Sequence, residues 1–99
     1  MGVEFTSVVV VENLAGAVWP DALHAAAAVP GRNRGEAIVL LTEQSDPTPE
    51  TLHAQLKAEG LPERFLPDRI ITVEQIPVLG TGKVDTVAVT KLALELTAD

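Results

Sequence analysis

The sequence predicts an α+β domain in which a small three-stranded sheet packs with about three helices, in the order helix, strand, strand, helix, strand, helix. Its 99 residues suit one compact domain with a single core. Apolar residues make up 46% of the chain, which argues against disorder. These residues fall into short runs that are separated by proline and glycine turns. We therefore take residues 1–99 as a single domain.

The first element is predicted to be a helix over about residues 8–18. Apolar residues recur there at helical spacing, and Ser7 is a candidate N-cap. The same segment contains the β-branched run Val8–Val11, which is also typical of a buried strand, so a strand remains the alternative. The element ends at Trp19, because Pro20 disfavours helical conformation in the residue before it. The Trp19 ring is expected to pack in or beside the core.

Two strands are predicted next, His24 to Val29 and Glu36 to Glu43. The second strand contains the apolar run Ile38–Leu41. A short polar turn at Pro30–Gly35 joins the two strands, and this arrangement predicts an antiparallel pair.

The second helix is the clearest element of the sequence. Thr48 is a candidate N-cap, Pro49 occupies the first helical position, and Glu50 lies near the positive end of the helix. Gly60 ends the helix. Its apolar stripe consists of Leu52 and Leu56.

The third strand is predicted from Arg69 to Glu74, through Ile70, Ile71 and Val73. The closing helix should begin after Asp85, which is a good N-cap, and run to about Leu96. We expect this helix to bury Val87, Leu92 and Leu96, or their neighbours.

Between the third strand and the last helix lies the one segment that carries chemistry, Ile76-Pro77-Val78-Leu79-Gly80-Thr81-Gly82-Lys83-Val84-Asp85. Its two glycines permit left-handed backbone conformations and a close approach to a ligand. Lys83 can then present a cation to a phosphate or a carboxylate. A nucleotide P-loop is excluded, because its required glycine and hydroxyl positions hold Pro77 and Val84. The alternative from the loop alone is an ordinary surface turn with a solvated lysine.

Composition excludes several functions. A net charge of −7 argues against nucleic-acid binding, and the lack of cysteine excludes disulfides and thiolate metal sites. His24 and His53 lack partners at ligand spacing, so we expect no metal site. No apolar run approaches the roughly 20 residues of a membrane span, so we expect a soluble, cytoplasmic domain. Four arginines could meet an acidic partner, but they are more simply ordinary loop residues. They are Arg32, Arg34, Arg64 and Arg69.

A series of short motifs occurs in a fixed order. The series comprises Ala26-Ala27-Ala28-Val29-Pro30, Arg34-Gly35-Glu36-Ala37-Ile38-Val39, Gly60-Leu61-Pro62, Phe65-Leu66-Pro67, Ile76-Pro77 and Gly80-Thr81-Gly82-Lys83-Val84-Asp85, after an opening Val3-Glu4-Phe5-Thr6-Ser7. As a set it resembles the C-terminal domain of acyl-adenylate-forming (AMP-binding) enzymes: acyl-coenzyme A synthetases, acyl-acyl carrier protein synthetases and adenylation domains of peptide synthetases. Within them it looks most like the bacterial acyl-acyl carrier protein synthetase / 2-acylglycerophosphoethanolamine acyltransferase.

This resemblance implies a two-step enzyme of fatty acid and phospholipid metabolism. An acid and ATP give an acyl-adenylate, and a thiol of coenzyme A or phosphopantetheine then takes the acyl group. Lys83 matches the lysine that reaches the carboxylate and phosphate oxygens in the first step, and Gly80, Thr81 and Gly82 match the substrate-binding loop around it. A cation about 4 Å from such anions contributes roughly 4 kcal/mol at an effective dielectric constant near 20. Thiol attack does not need this charge, so the small domain can withdraw the lysine by rotating.

The family also has parts that would precede residue 1, namely the large N-terminal domain, the hinge and the first β-hairpin. In addition, the glycine that the family has near the start of this domain is replaced by Val3. We therefore expect the chain alone to be inactive and to bind no cofactor tightly, with ATP and Mg²⁺ held by the large domain. The expected partners are that large domain, an acyl carrier protein and, weakly, a second copy of the chain. The parent enzyme is expected in the cytoplasm or at the inner membrane. The main alternative is a non-catalytic module that docks a carrier protein or a partner domain; a structural domain with a chance glycine loop has least support.

Overall fold

The computed structural model describes residues 5–31 and 35–98, with side chains from Ser7 onward in the first helix. The elements are α1 (Phe5–Val18), β1 (His24–Pro30), β2 (Glu36–Thr42), α2 (Pro49–Ala58), β3 (Arg69–Thr72) and α3 (Thr86–Thr97), with a 3₁₀ turn at Glu63–Phe65 before β3. Their order confirms the predicted α+β fold class. Val3, Arg32 and Arg34, which the sequence singled out, lie outside the described residues.

The sheet has the strand order β1-β2-β3, so β2 is central. β1 and β2 are antiparallel, as predicted, with Ala26 opposite Leu40. β2 and β3 are parallel, with Leu40 beside Ile70, and α2 provides the crossover that a parallel pair requires. β3 ends at Thr72, two residues earlier than predicted.

The two faces of the sheet support two apolar clusters, because successive strand residues point to opposite sides. On one face Ala26, Ile38 and Leu40 pack with α1 and α2. On the other face Val39 and Leu41 pack with α3 and with Ile76. The central strand is therefore buried on both sides, which explains why its sequence is a continuous apolar run.

The first element is a helix, so the alternative of a strand through the valine run is wrong. Val11, Leu14 and Ala15 are fully or almost fully buried, and their spacing is that of one helix face. The helix also contacts the edge strand β1, because the Glu12 carboxylate accepts the Ala26 N–H at 2.8 Å. Within the described residues, no helix has the length and apolar character needed to cross a membrane.

The second helix begins and ends as predicted. Thr48 occupies the N-cap position with extended backbone, although its side chain does not cap the helix, and Pro49 is the first helical residue. Leu52 and Leu56 are fully buried. Gly60 follows the helix with a φ of +72°, the left-handed conformation that favours glycine at this position.

The buried face of α3 differs from the prediction. The helix buries Val89 and Ala93 against the sheet, while Leu92 is half-buried. Val87 and Leu96, which we expected to be buried, are 71% and 42% exposed. The prediction chose a different face of the helix, because the row that packs on β1 consists of Val89 and Ala93, one turn apart.

Candidate functional site

The segment that carries Lys83 is fixed to the sheet before it forms a loop. Just after β3, the Val73 N–H donates to the Thr42 carbonyl at 2.8 Å. Three residues later the Ile76 side chain is fully buried. The Ile76 N–H donates to Oε2 of Glu43 at 2.7 Å, and Glu43 directly follows β2. The segment is therefore tied at two points to the end of β2.

The loop itself is a small hairpin. Val78 and Val84 form an antiparallel bridge, and the Leu79 N–H donates to the Lys83 carbonyl at 2.7 Å. The Gly82 N–H donates to the Leu79 carbonyl at 2.8 Å, and Gly82 has a φ of +92°. A three-residue hairpin tip with a left-handed glycine in its last position is a common connection. The tip consists of Gly80, Thr81 and Gly82.

The base of the hairpin is joined directly to α3. The Asp85 N–H donates to the Pro77 carbonyl at 3.0 Å, which closes the hairpin. Oδ1 of Asp85 accepts the Ala88 N–H at 3.1 Å, so Asp85 is the N-cap of α3, as predicted. One residue therefore ends the loop and begins the helix.

Lys83 is exposed on the returning arm of this hairpin. The structure places residues 80–83 on the surface between β3 and α3, where the sequence predicts them; their chemical role stays a prediction. Among the residues that the structure describes, none pairs with the Lys83 ammonium within 4 Å. The positive charge is thus available to an anion from outside the domain.

Apolar side chains lie close to Lys83 in sequence and are open to solvent. Val78 is 45% exposed, Leu79 is 46% exposed, and Val87 in the first turn of α3 is 71% exposed. These three side chains form what we call the hairpin rim. An exposed lysine beside exposed apolar residues combines charge with surface that can dock on another molecule.

The histidines have structural partners. His24 Nε2 lies 2.8 Å from the Trp19 carbonyl, and Nδ1 lies 2.8 Å from Oγ1 of the fully buried Thr42. Trp19 is half-buried and packs against the apolar cluster that α1 and α2 form with the sheet, as predicted. His53 Nε2 lies 3.1 Å from a carboxylate oxygen of Glu63 on the surface. In residues 5–31 and 35–98, no three histidine or acidic side chains converge to hold a metal ion.

A cavity of about 390 Å³ lies at the end of the sheet where β2 and β3 begin. Its lining includes Gly31, Ala37, Asp68 and Arg69. None of the hairpin residues lines it. The sequence predicted residues 80–83 as one exposed loop, but it gave no signal for Glu43, whose bond to Ile76 spans 33 residues.

No family model matches the sequence. Among solved structures, the amide bond synthetase McbA from Marinactinospora thermotolerans is 31% identical, with a TM-score of 0.67, over 86% of this chain and 18% of the synthetase. MbtA from Mycobacterium smegmatis is 26% identical, with a TM-score of 0.69, over 85% of this chain and 16% of that chain. The Mycobacterium tuberculosis fatty acyl CoA synthetase shares the fold, with a TM-score of 0.72, 19% identity, and coverage of 87% and 17%.

The similarities to McbA and MbtA support the assignment of the chain to the adenylate-forming superfamily, while the fatty acyl CoA synthetase shows the shared fold. The chain spans only 16–18% of the length of the first synthetases it matches. Such an extent fits one small domain of a larger enzyme.

Proposed function

We propose that this chain is the small C-terminal domain of an acid-activating synthetase, and that it supplies Lys83 to the formation of an acyl-adenylate. The observation that carries the proposal is the exposed Lys83 on an anchored hairpin, with no ion-pair partner among the described residues. The likeness to solved synthetases supports the superfamily to which this chemistry belongs.

The chemistry gives a reason for a lysine at this position. Formation of an acyl-adenylate brings a carboxylate and a phosphate together, and the two anions repel each other. A compact ammonium about 4 Å from each anion attracts that anion by roughly 4 kcal/mol at an effective dielectric constant near 20, which offsets this repulsion. The hairpin tip has no side chain at Gly80 or Gly82, so its backbone can approach the reacting groups closely.

The remaining components would come from the larger part of the enzyme. A triphosphate, a magnesium ion and an adenine ring need more contacts than one lysine hairpin offers. We therefore propose that ATP, Mg²⁺ and the acid bind the large domain, with coenzyme A or phosphopantetheine as the thiol acceptor. The isolated chain would then neither bind ATP tightly nor hydrolyse it.

The finer assignment is a fatty acid-activating enzyme of the acyl-acyl carrier protein synthetase / 2-acylglycerophosphoethanolamine acyltransferase type, acting in the cytoplasm on a carrier protein. Its support is the sequence resemblance of Leu79–Asp85 and Gly35–Thr42. The hairpin rim of Val78, Leu79 and Val87 offers a docking surface for the large domain. The same rim would let the isolated chain self-associate weakly, since an open apolar surface tends to find a partner.

A domain-exchange chimera tests the proposal. Residues 1–99 replace the matching segment of McbA, chosen because it is 31% identical to this chain. The readouts are amide bond formation, pyrophosphate exchange for the first step, and acyl transfer from a supplied acyl-adenylate for the second. Lys83→Ala should slow pyrophosphate exchange by about a hundredfold or more, the usual scale for losing one preorganised charge. Transfer from the supplied acyl-adenylate should stay near the unsubstituted rate.

Two further variants complete the design. Lys83→Arg should also be impaired, because a forked guanidinium does not reproduce a compact ammonium. Lys91→Ala removes an exposed lysine from α3 and is the matched control, which should keep both steps. Unchanged pyrophosphate exchange in Lys83→Ala would show that the lysine has no role in adenylation. A parallel fall in both steps would assign it a structural role instead.

A further inference from the structure

Among the residues that the structure describes, three carboxylates accept a backbone N–H from a residue more than ten positions away. Glu12 accepts the Ala26 N–H at 2.8 Å, and Asp68 accepts the Ile38 N–H at 2.7 Å. Both of these bonds hold strands of the sheet. Glu43 is different, because its 2.7 Å bond to the Ile76 N–H holds the segment that leads to Lys83.

The Glu43 bond lies at the start of the hairpin. Ile76 is fully buried, and Pro77, the next residue, cannot donate a backbone hydrogen bond. From Val78 onward, the backbone hydrogen bonds of the described residues close the hairpin on itself or join it to α3. Among the residues that the structure describes, the Glu43 bond is thus the last hydrogen bond between the sheet and the arm that leads into the hairpin, where it adds to the apolar packing of Ile76 and Val84.

We infer that Glu43 is a positioning residue for Lys83. The inference rests on the function proposed above and adds to it a residue that does not touch the reacting groups. A hydrogen bond to an ionised carboxylate is stronger than a neutral one, and its loss leaves the N–H of buried Ile76 without a partner. The segment would then gain freedom just before the hairpin. A displacement of about 1 Å at a reacting group can cost a hundredfold in rate.

The first test measures the hairpin in the 99-residue chain itself. Hydrogen exchange is followed at the Leu79, Gly82 and Asp85 amides, whose bonds hold the hairpin together. Glu43→Ala should speed exchange at these amides roughly tenfold or more, the scale set by losing one charge-assisted hydrogen bond. Glu43→Gln keeps an oxygen that can accept the Ile76 N–H and should restore most of the protection. Glu43→Asp keeps the charge but is one methylene shorter, and should give an intermediate result.

The second test measures catalysis in the McbA exchange chimera. Glu43→Ala should lower kcat for the first step by about ten- to a hundredfold, with KM close to the unsubstituted value, because the substrates bind elsewhere. Glu43→Gln should recover most of kcat. The matched control is Glu12→Ala, which removes the same kind of bond at 2.8 Å from the opposite side of the sheet and should keep kcat.

The outcomes separate this inference from the function on which it rests. Unchanged exchange at the hairpin in Glu43→Ala, no recovery with Glu43→Gln, or an equal loss of kcat in Glu12→Ala would each overturn the positioning role. If Lys83→Ala leaves adenylation intact, the proposed function fails, whatever the hairpin does. The positioning role is supported if Glu43→Ala has a faster-exchanging hairpin and a lower kcat, and if Glu43→Gln recovers both.

Discussion

The two glycines of the hairpin tip should respond in opposite ways to alanine. Gly82 has a φ of +92°, which lies beyond the left-handed well that other residues occasionally enter near +57°. Gly80 has no positive φ. A Cβ built at either position meets no atom within 4 Å, so steric contact does not distinguish the two glycines. The difference between them is therefore one of backbone conformation alone.

The expected magnitudes follow from that difference. A left-handed conformation costs an alanine about 1–2 kcal/mol, and the loss of unfolded-state freedom returns about 0.4–1 kcal/mol. Gly82→Ala should therefore lower the free energy of unfolding by roughly 1 kcal/mol. Gly80→Ala carries no such strain and should raise the free energy of unfolding by about 0.4–1 kcal/mol. In a domain of this size each kcal/mol corresponds to about 4–8 °C in Tm.

Thermal and urea denaturation of the 99-residue chain, followed by circular dichroism, measures both variants beside the unsubstituted protein. Equal destabilisation by the two alanines would refute the argument, because it would mean that Gly80 also needs a conformation reserved for glycine. The pair also bears on function. Gly80→Ala is stable by this reasoning, so a loss of adenylation in the chimera would show that the bare backbone at residue 80 approaches a ligand or the large domain.

Two other predictions concern the base of the hairpin and its rim. Asp85→Ala removes the N-cap of α3 and should lower the free energy of unfolding by about 1 kcal/mol, whereas Asp85→Ser should retain most of the stability. Denaturation measures both variants, and equal losses would mean that the side-chain cap contributes little. The isolated chain should self-associate weakly at high concentration, and Val87→Ser, which changes the most exposed side chain of the rim, should weaken this association in sedimentation experiments. A strict monomer at millimolar concentration would contradict the second prediction.

Local patterns were sufficient to predict the fold because each element carries its own signal. Thr48, Pro49 and Gly60 mark the ends of α2, and Asp85 marks the start of α3. The prediction of the buried face of α3 was wrong, because tertiary packing decides which side of a helix faces the sheet. In α3, Val87 and Val89 are the same residue type, yet the row of Val89 and Ala93 is buried against the sheet while Val87 is 71% exposed. A short strand end such as that of β3 also depends on pairing with β2, which sequence pattern does not show.

The features of the candidate site also divide into those that the local sequence predicts and those that depend on tertiary contacts. The exposed loop with Lys83 was predictable, because paired glycines before a lysine are a local feature, whereas its hairpin form was not predicted. The left-handed backbone belongs to Gly82 and not to Gly80, a distinction that the identical residue types cannot reveal. The role of Glu43 depends on a contact between positions 33 residues apart, and an acidic residue after a strand has nothing local to mark it.

The arrangement of charges links the stability of this domain to its proposed chemistry. Glu12, Glu43, Asp68 and Asp85 each accept a backbone N–H, so part of the net charge of −7 is used inside the fold. Lys83 has no ion-pair partner among the described residues, although the chain has twice as many acidic as basic residues. An ammonium without an internal partner does not have to break a salt bridge before it meets a carboxylate and a phosphate, so more of its attraction is available to the reaction.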